Sequence, residues 1–314
     1  MHAHHRIVIL GAGHVGSHVA SGLAMDGIAD EIVLVDIVPG KAAAQAMDIS
    51  DALTFPCRKA LLREGTLSDC EGADAIVCAI GKPREPGQTR LDLLADSARM
   101  VHALALSLRP FHLTCPIISI TNPCDIIADL LRRELQLDRT QVFGTGTLLD
   151  TARLRRTLSE QTGIGRDQID AFVLGEHGDS SMIPFSCVHL SGRTPGEVPG
   201  FDADAALLRT HEIGMDIING KGSTEFGIGQ ATTFLIRAIL EDTHAVLPLS
   251  AELRGEYRLS GLHCGVPCRV GRKGIEEVIE LPLEEDELSQ LHRSADIILR
   301  HINMARDILS ETAP

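Results

Sequence analysis

Three glycines set the first candidate chemistry. Gly11-Ala-Gly13-His-Val-Gly16 follows a short β-branched run and opens a helical pattern, so G-x-G-x-x-G stands in a strand-turn-helix setting. Gly11 permits the tight turn, Gly13 lets a backbone approach a pyrophosphate, and Gly16 lets helix and strand pack closely. The phosphates then rest on the free amides of the helix N-terminus. Asp36 ends the next strand-like run, 20 residues after Gly16, where a carboxylate can accept hydrogen bonds from adenosine ribose hydroxyls. Its charge repels a 2′-phosphate, and Ile37 and Val38 follow it instead of an arginine, which favours NAD over NADP.

A second group of polar residues is spread along the chain. Its segments are Arg84-Glu-Pro-Gly-Gln-Thr-Arg90-Leu-Asp-Leu, Leu149-Asp150-Thr-Ala-Arg153 and Gly175-Glu-His177-Gly-Asp-Ser180. Asp150 and Arg153 are three apart in a helical pattern and so share one face. Alone they would read as an ordinary surface ion pair. His177 sits at a strand-to-loop corner where its ring can reach a ligand, and its unperturbed pKa lies near physiological pH. A lone histidine is more often a structural hydrogen-bonder. Arg90 belongs to a segment with Pro86 and Gly87, consistent with a loop that can close. Its plainer role is to pair Asp92 or a solvent anion. Asn122, in Thr121-Asn-Pro-Cys124, ends a strand-like run and could be only a turn residue before proline.

These residues need a scaffold, and the first half supplies an alternation of short β-branched runs with longer helical patterns, the mark of βαβ units and a parallel sheet. Strands are expected at Arg6 to Leu10, Glu31 to Asp36, Asp74 to Ile80, Pro116 to Thr121 and Gln141 to Phe143. Helices are expected at Val15 to Met25, Lys41 to Leu53, Leu91 to Leu108 and Ile126 to Leu135. The pattern changes near Gly144. A helix over Leu148 to Thr162, a strand over Ile169 to Leu174, two helices within 204–241, a β segment near Gly274 to Leu281 and a terminal helix from Glu285 complete the chain. The expected class is α/β, a Rossmann doubly wound parallel sheet over residues 1–145 followed by a mixed α+β substrate or catalytic domain over residues 146–314.

Composition narrows the field. The chain has 314 residues, 44% of them hydrophobic, enough for a full core. Its formal charge of −14 repels nucleic acid and anionic membrane. No apolar run approaches the roughly 18 residues of a membrane span. No signal-type segment precedes the first strand, so a cytoplasmic location is expected. Eight scattered cysteines read as reduced thiols. Cys264 and Cys268 with His263 offer a weak metal pattern without a second ligand pair, and small buried apolar residues are the simpler reading. His2, His4 and His5 are given no function.

Together, the glycine turn and the three polar segments, in this order, make the chain resemble the L-lactate and malate dehydrogenase family of NAD-dependent L-2-hydroxy acid dehydrogenases, over essentially its whole length. The resemblance implies an oxidoreductase acting on a CH–OH group. Arg153 would anchor the substrate carboxylate. His177 would be the general acid/base, oriented by Asp150. Arg90 would swing in to polarise the substrate carbonyl, and Asn122 would bond near the nicotinamide ribose and the substrate oxygen. A homodimer or homotetramer is also implied.

The substrate signals conflict. Arg84 stands at the family's discriminating position, where lactate enzymes typically carry glutamine and malate enzymes arginine. An unpaired arginine closed over a methyl group would be costly. Gly144-Thr-Gly-Thr147, Glu176 and Lys221-Gly-Ser-Thr224 look more like bacterial L-lactate dehydrogenases, and Thr224 matches their pocket threonine. Pocket charge gives a slight lean to oxaloacetate, with pyruvate or a bulkier 2-oxo acid next. Arg155 matches an arginine that binds fructose 1,6-bisphosphate in many bacterial relatives, but Asp170 replaces the matching histidine, so no such activation is expected. The competing classes are a metal- and NAD-dependent glycosidase, which could use Cys124 and a nearby histidine, and a non-catalytic family member.

Overall fold

The computed structural model describes residues 4–81 and 90–311. Its first half runs β1 (Arg6–Leu10), α1 (His14–Asp26), β2 (Glu31–Val35), α2 (Lys41–Leu53), β3 (Leu61–Glu64), β4 (Ala75–Cys78), α3 (Arg90–Leu108), β5 (Ile117–Ser119), α4 (Cys124–Leu135) and β6 (Val142–Gly144). Strands such as Arg6–Leu10 and Ala75–Cys78 are almost continuously apolar and buried, as parallel strands covered on both faces must be. The six strands lie parallel in the order β3-β2-β1-β4-β5-β6. The order reverses between β1 and β4, and the crevice at the carboxyl ends of these strands is where such sheets bind ligands.

The second half runs α5 (Leu148–Thr162), β7 (Ile169–Asp170), β8 (His189–Leu190), α6 (Ala203–Lys221), α7 (Phe226–Leu240), β9 (Ala245–Arg254), β10 (Ser260–Gly271), β11 (Gly274–Val278) and α8 (Glu285–Glu311). The antiparallel β9-β10-β11 meander joins β6 through the single pair Gly144 and Ser250, so one nine-stranded sheet crosses the change of pattern near residue 145. Helix α7 crosses α1 closely because glycines sit at the crossing. A Cβ on Gly22 would lie 2.5 Å from Thr233 Oγ1, and one on Gly229 would lie 2.9 Å from His18 Cβ. This crossing brings the start of α7 over the glycine turn, where Glu225 lies 3.6 Å from His14.

The structure departs from the expected elements in three places. β9 and β10, two long strands, each contain a proline, which reads as a strand breaker; the ladder places Pro248 and Pro267 opposite each other. The short strand β3 pairs at the sheet edge and is too polar for an apolar pattern to reveal it. The expected strand from Ile169 to Leu174 shortens to β7, because helix α5 takes over the backbone beyond it. Thr151 Oγ1 accepts from the Val173 amide and Thr147 Oγ1 donates to the Val173 carbonyl.

Candidate active site

At the end of β1 the chain turns through Gly11, whose amide donates to the Val35 carbonyl at 2.7 Å. A Cβ on Gly16 would stand 1.9 Å from the Gly11 carbonyl oxygen, so only glycine lets α1 start this close to the strand. At Gly13, by contrast, a Cβ would meet nothing within 4 Å among the described residues, so this backbone faces open space. Gly13 caps α1 without a side-chain hydrogen bond, and the first helical turn carries no acidic residue. Free amides and a positive dipole end therefore face that space, and the cradle fits a dinucleotide pyrophosphate.

Asp36 closes the turn from the β2 side. Its Oδ2 accepts from the Ala12 amide at 2.8 Å and its Oδ1 from the Val38 amide at 2.9 Å, with Lys41 Nζ 3.3 Å away. Burial raises its pKa, but these amides and Lys41 outweigh burial and hold the carboxyl below the ordinary aspartate value. A persistent negative charge thus stands beside the glycine turn.

His177 is fixed from four elements. Gly175 exchanges two backbone hydrogen bonds of 2.9 Å with Gly265 of β10. Ser294 Oγ of α8 accepts from the Glu176 amide at 2.8 Å. Asp125, in the first turn of α4, accepts from the His177 amide at 2.9 Å. Finally, Asp150 Oδ2 on α5 lies 2.6 Å from His177 Nδ1. That bond makes Nδ1 the ring donor and leaves Nε2 for a ligand. The Asp150 carboxylate raises the His177 pKa to about 9 against the opposing effect of burial. Burial pushes Asp150 upward, but His177 and Arg153 outweigh it and keep the carboxyl low.

Arg153 NH1 donates to the other Asp150 oxygen at 2.8 Å, so the three side chains form one constellation. Beside them a cavity of about 410 Å³ is lined by Arg153, Leu149, Ile213, Ile217 and Thr224. Anionic and apolar parts of a small ligand could be served there together. Asn122 is exposed just beyond β5, and its carbonyl accepts from Ser97 Oγ at 3.0 Å. Arg84 lies outside the described residues. Arg90 opens α3, and its side chain lies outside them too. A larger cavity of about 650 Å³, lined by Arg109, His112 and Lys273, sits at the amino ends of β5 and β6, away from this crevice.

The cysteines fall elsewhere than a metal reading requires. Cys264 and Cys268 are buried in β10, where burial raises both thiols, Cys268 to about 12. Burial likewise pushes Cys124 to about 12, and its Sγ donates to the Ser119 carbonyl. These are protonated core thiols, unsuited to hold a cation. Two residues of the site were not singled out from sequence. Asp125 follows Asn122 by three and could have been found as an acid in an apolar helical stretch. Glu225, beside Thr224, bonds Lys221 four residues earlier and faces His14, a tertiary relation that no local pattern carries.

Residues 5–144 match the family described as lactate/malate dehydrogenase, NAD binding domain, and residues 147–308 match its alpha/beta C-terminal domain. An L-lactate dehydrogenase of Fusobacterium nucleatum is 36% identical over 309 residues, covering 96% of this chain and 97% of that protein. L-lactate dehydrogenase 1 of Lactobacillus johnsonii is 35% identical, with 93% and 92% covered. Among solved structures, a ligand-bound minor L-lactate dehydrogenase from Enterococcus mundtii superposes with a TM-score of 0.92 at 30% identity, covering 96% of this chain and 98% of that one. A malate dehydrogenase from Picrophilus torridus superposes at 0.93 with 27% identity, covering 99% and 100%.

Proposed function

The chain belongs to the lactate/malate dehydrogenase family of NAD-dependent oxidoreductases acting on CH–OH groups, and from that premise we propose that it interconverts a small 2-oxo acid and its L-2-hydroxy acid at the His177 constellation. The observation that carries this reading is the Asp150 carboxylate held between His177 and Arg153. The glycine turn and Asp36 would hold NAD, which would supply or accept the hydride. Arg153 receives the substrate carboxylate on its remaining guanidinium donors, a task that suits a planar fork. His177, protonated at neutral pH, gives its Nε2 proton to the carbonyl oxygen during reduction and takes it back during oxidation. Asp150 stabilises the imidazolium and fixes the tautomer. Asp36 would receive the ribose hydroxyls and Asn122 would orient groups at the nicotinamide end, and the role of polarising the carbonyl oxygen is assigned to Arg90.

For the substrate we propose the pyruvate and L-lactate pair, because curated relatives that match almost the whole chain are named for lactate. The slight lean to oxaloacetate drawn from Arg84 receives no support from those relatives. Arg84 itself still favours a dicarboxylate as the second reading, since a guanidinium closed over a methyl group lacks a partner. Rates of NADH oxidation with pyruvate and oxaloacetate in parallel, repeated in Arg84→Gln, decide between them. A pyruvate preference that the substitution leaves unchanged supports the first reading. A strong oxaloacetate preference that the substitution reverses replaces it with the second. Failure to reduce either acid removes the assignment of a small 2-oxo acid. An oligomer built on second-half helices is part of the same proposal.

A further inference from the structure

Asp125 is 1% exposed, yet it is a carboxylic acid. One oxygen accepts from the His177 main-chain amide and the other from the hydroxyl of Ser250, a fully buried residue of β9. A backbone amide can be satisfied by a neutral carbonyl, so the tether alone does not require an acid here, and burying one is costly. What distinguishes Asp125 from a neutral acceptor is its charge beside the imidazole. The charged groups acting on His177 are Asp150 and Arg153 from α5 and Asp125 from α4, while Glu176 and Cys264 of β10 face Asp125.

We propose that Asp125 is a positioning residue for the reaction at His177: it clamps the histidine main chain with one oxygen, Ser250 fixes its other oxygen, and its carboxyl is thereby held beside the histidine. Asp150 orients the imidazole from its Nδ1 edge, while Asp125 fixes where the ring is attached. When ionised, Asp125 adds to the proton affinity that Asp150 confers; burial holds its own carboxyl above the ordinary aspartate value, against the opposing pull of Ser250 and the His177 amide. This inference rests on His177 being the general acid/base.

Asp125→Asn and Ser250→Ala test it in the full-length protein. Asparagine can keep the acceptor for the His177 amide while losing the charge. The His177 ring titration, followed by NMR without cofactor, is expected to move to lower pH in Asp125→Asn and by less in Ser250→Ala. The turnover number should fall about tenfold in Asp125→Asn, while NADH affinity stays within about twofold. An Asp125→Asn protein with native circular dichroism and an unmoved ring titration overturns the proposal. If that variant does not fold, Ser250→Ala decides, and an unmoved titration with unchanged turnover overturns it equally. Wild-type protein that reduces no 2-oxo acid in the same assay instead strikes the general acid/base reading.

Discussion

His177 Nδ1 and Asp150 Oδ2 lie 2.6 Å apart, and the second oxygen of the same carboxylate holds Arg153 at 2.8 Å. One buried acid therefore faces both the proton donor and the group that would receive a substrate carboxylate. A substrate carboxylate engaging Arg153, as proposed, would divert part of the positive charge near Asp150 to the ligand and strengthen the pull of Asp150 on the imidazolium. On that proposal, substrate binding and protonation of His177 would be coupled through Asp150.

The pH dependence follows from the direction of the His177 shift. Its pKa is raised to about 9, so the acid form needed for reduction persists from neutral pH and is lost as pH rises through that value. Oxidation of the hydroxy acid needs the neutral ring and should climb over the same interval. Asp150→Asn removes the largest cause of the shift. The reductive fall should then move toward ~6.5, the unperturbed histidine value, with turnover reduced by ~10²-fold or more. Initial rates in both directions across this range check the outcome.

Arg153→Lys should separate charge from shape. Lysine keeps a cation near Asp150 but presents a point charge where the fork would grip a carboxylate through two parallel bonds. Loss of one charge-assisted hydrogen bond, about 1.5–3 kcal/mol, predicts a fall of roughly ten- to a hundredfold in kcat/KM for the 2-oxo acid. NADH affinity should hardly change. Steady-state kinetics paired with a direct NADH titration measures both, and an equal loss in the two would contradict the assignment of Arg153 to the substrate.

Asp36→Asn should act on the cofactor. The amide loses the charge that disfavours a 2′-phosphate and weakens the hold on the Ala12 amide. Affinity for NADH should fall by about tenfold, roughly the value of one hydrogen bond to a charged group, while discrimination against NADPH narrows. Binding followed by the coenzyme's own fluorescence, with each coenzyme in turn, tests this. An unchanged preference would mean that Asp36 serves the turn alone.

The parts of this site that local patterns describe were legible in the sequence. The glycine turn, Asp36 and the α5 pair Asp150 and Arg153 sit where strand and helix periodicity place them, because their geometry is set by one strand or one helix. What joins them was not legible. The His177 corner is held by Gly265, Ser294 and Asp125, residues from three other elements far apart in the chain, and the Gly265 contact needs the β10 strand in place. Strands β9 and β10 were hidden by facing prolines, which break a strand pattern in sequence but are accommodated when both stand in the same register pair. Arg84, the residue that speaks most directly to substrate, lies outside the described residues.

The buried acid Asp129 makes the final prediction, one of stability instead of catalysis. It is fully buried on α4 and ties three elements together. Its Oδ2 accepts from Arg133 at 2.7 Å and from Arg306 of α8 at 3.2 Å, and its Oδ1 lies 3.4 Å from His263 of β10. Burial raises its pKa, but the hydrogen bonds from His263 and Arg133 more than compensate and bring it from 3.8 to about 2. A depressed carboxylate pKa contributes stability that is present in full above the unfolded value and is lost as pH falls from 3.8 through about 2. The contribution is about 2 kcal/mol at neutral pH. Asp129→Asn forfeits it and weakens the partner of the buried His263 ring, so the folded state should lose on the order of 3 kcal/mol at pH ~7. Its stability should then depend less on pH at the acid end than that of the wild type. Urea unfolding at neutral pH and at pH ~3 distinguishes the cases: parallel losses at both would show that Asp129 contributes packing and no linked protonation.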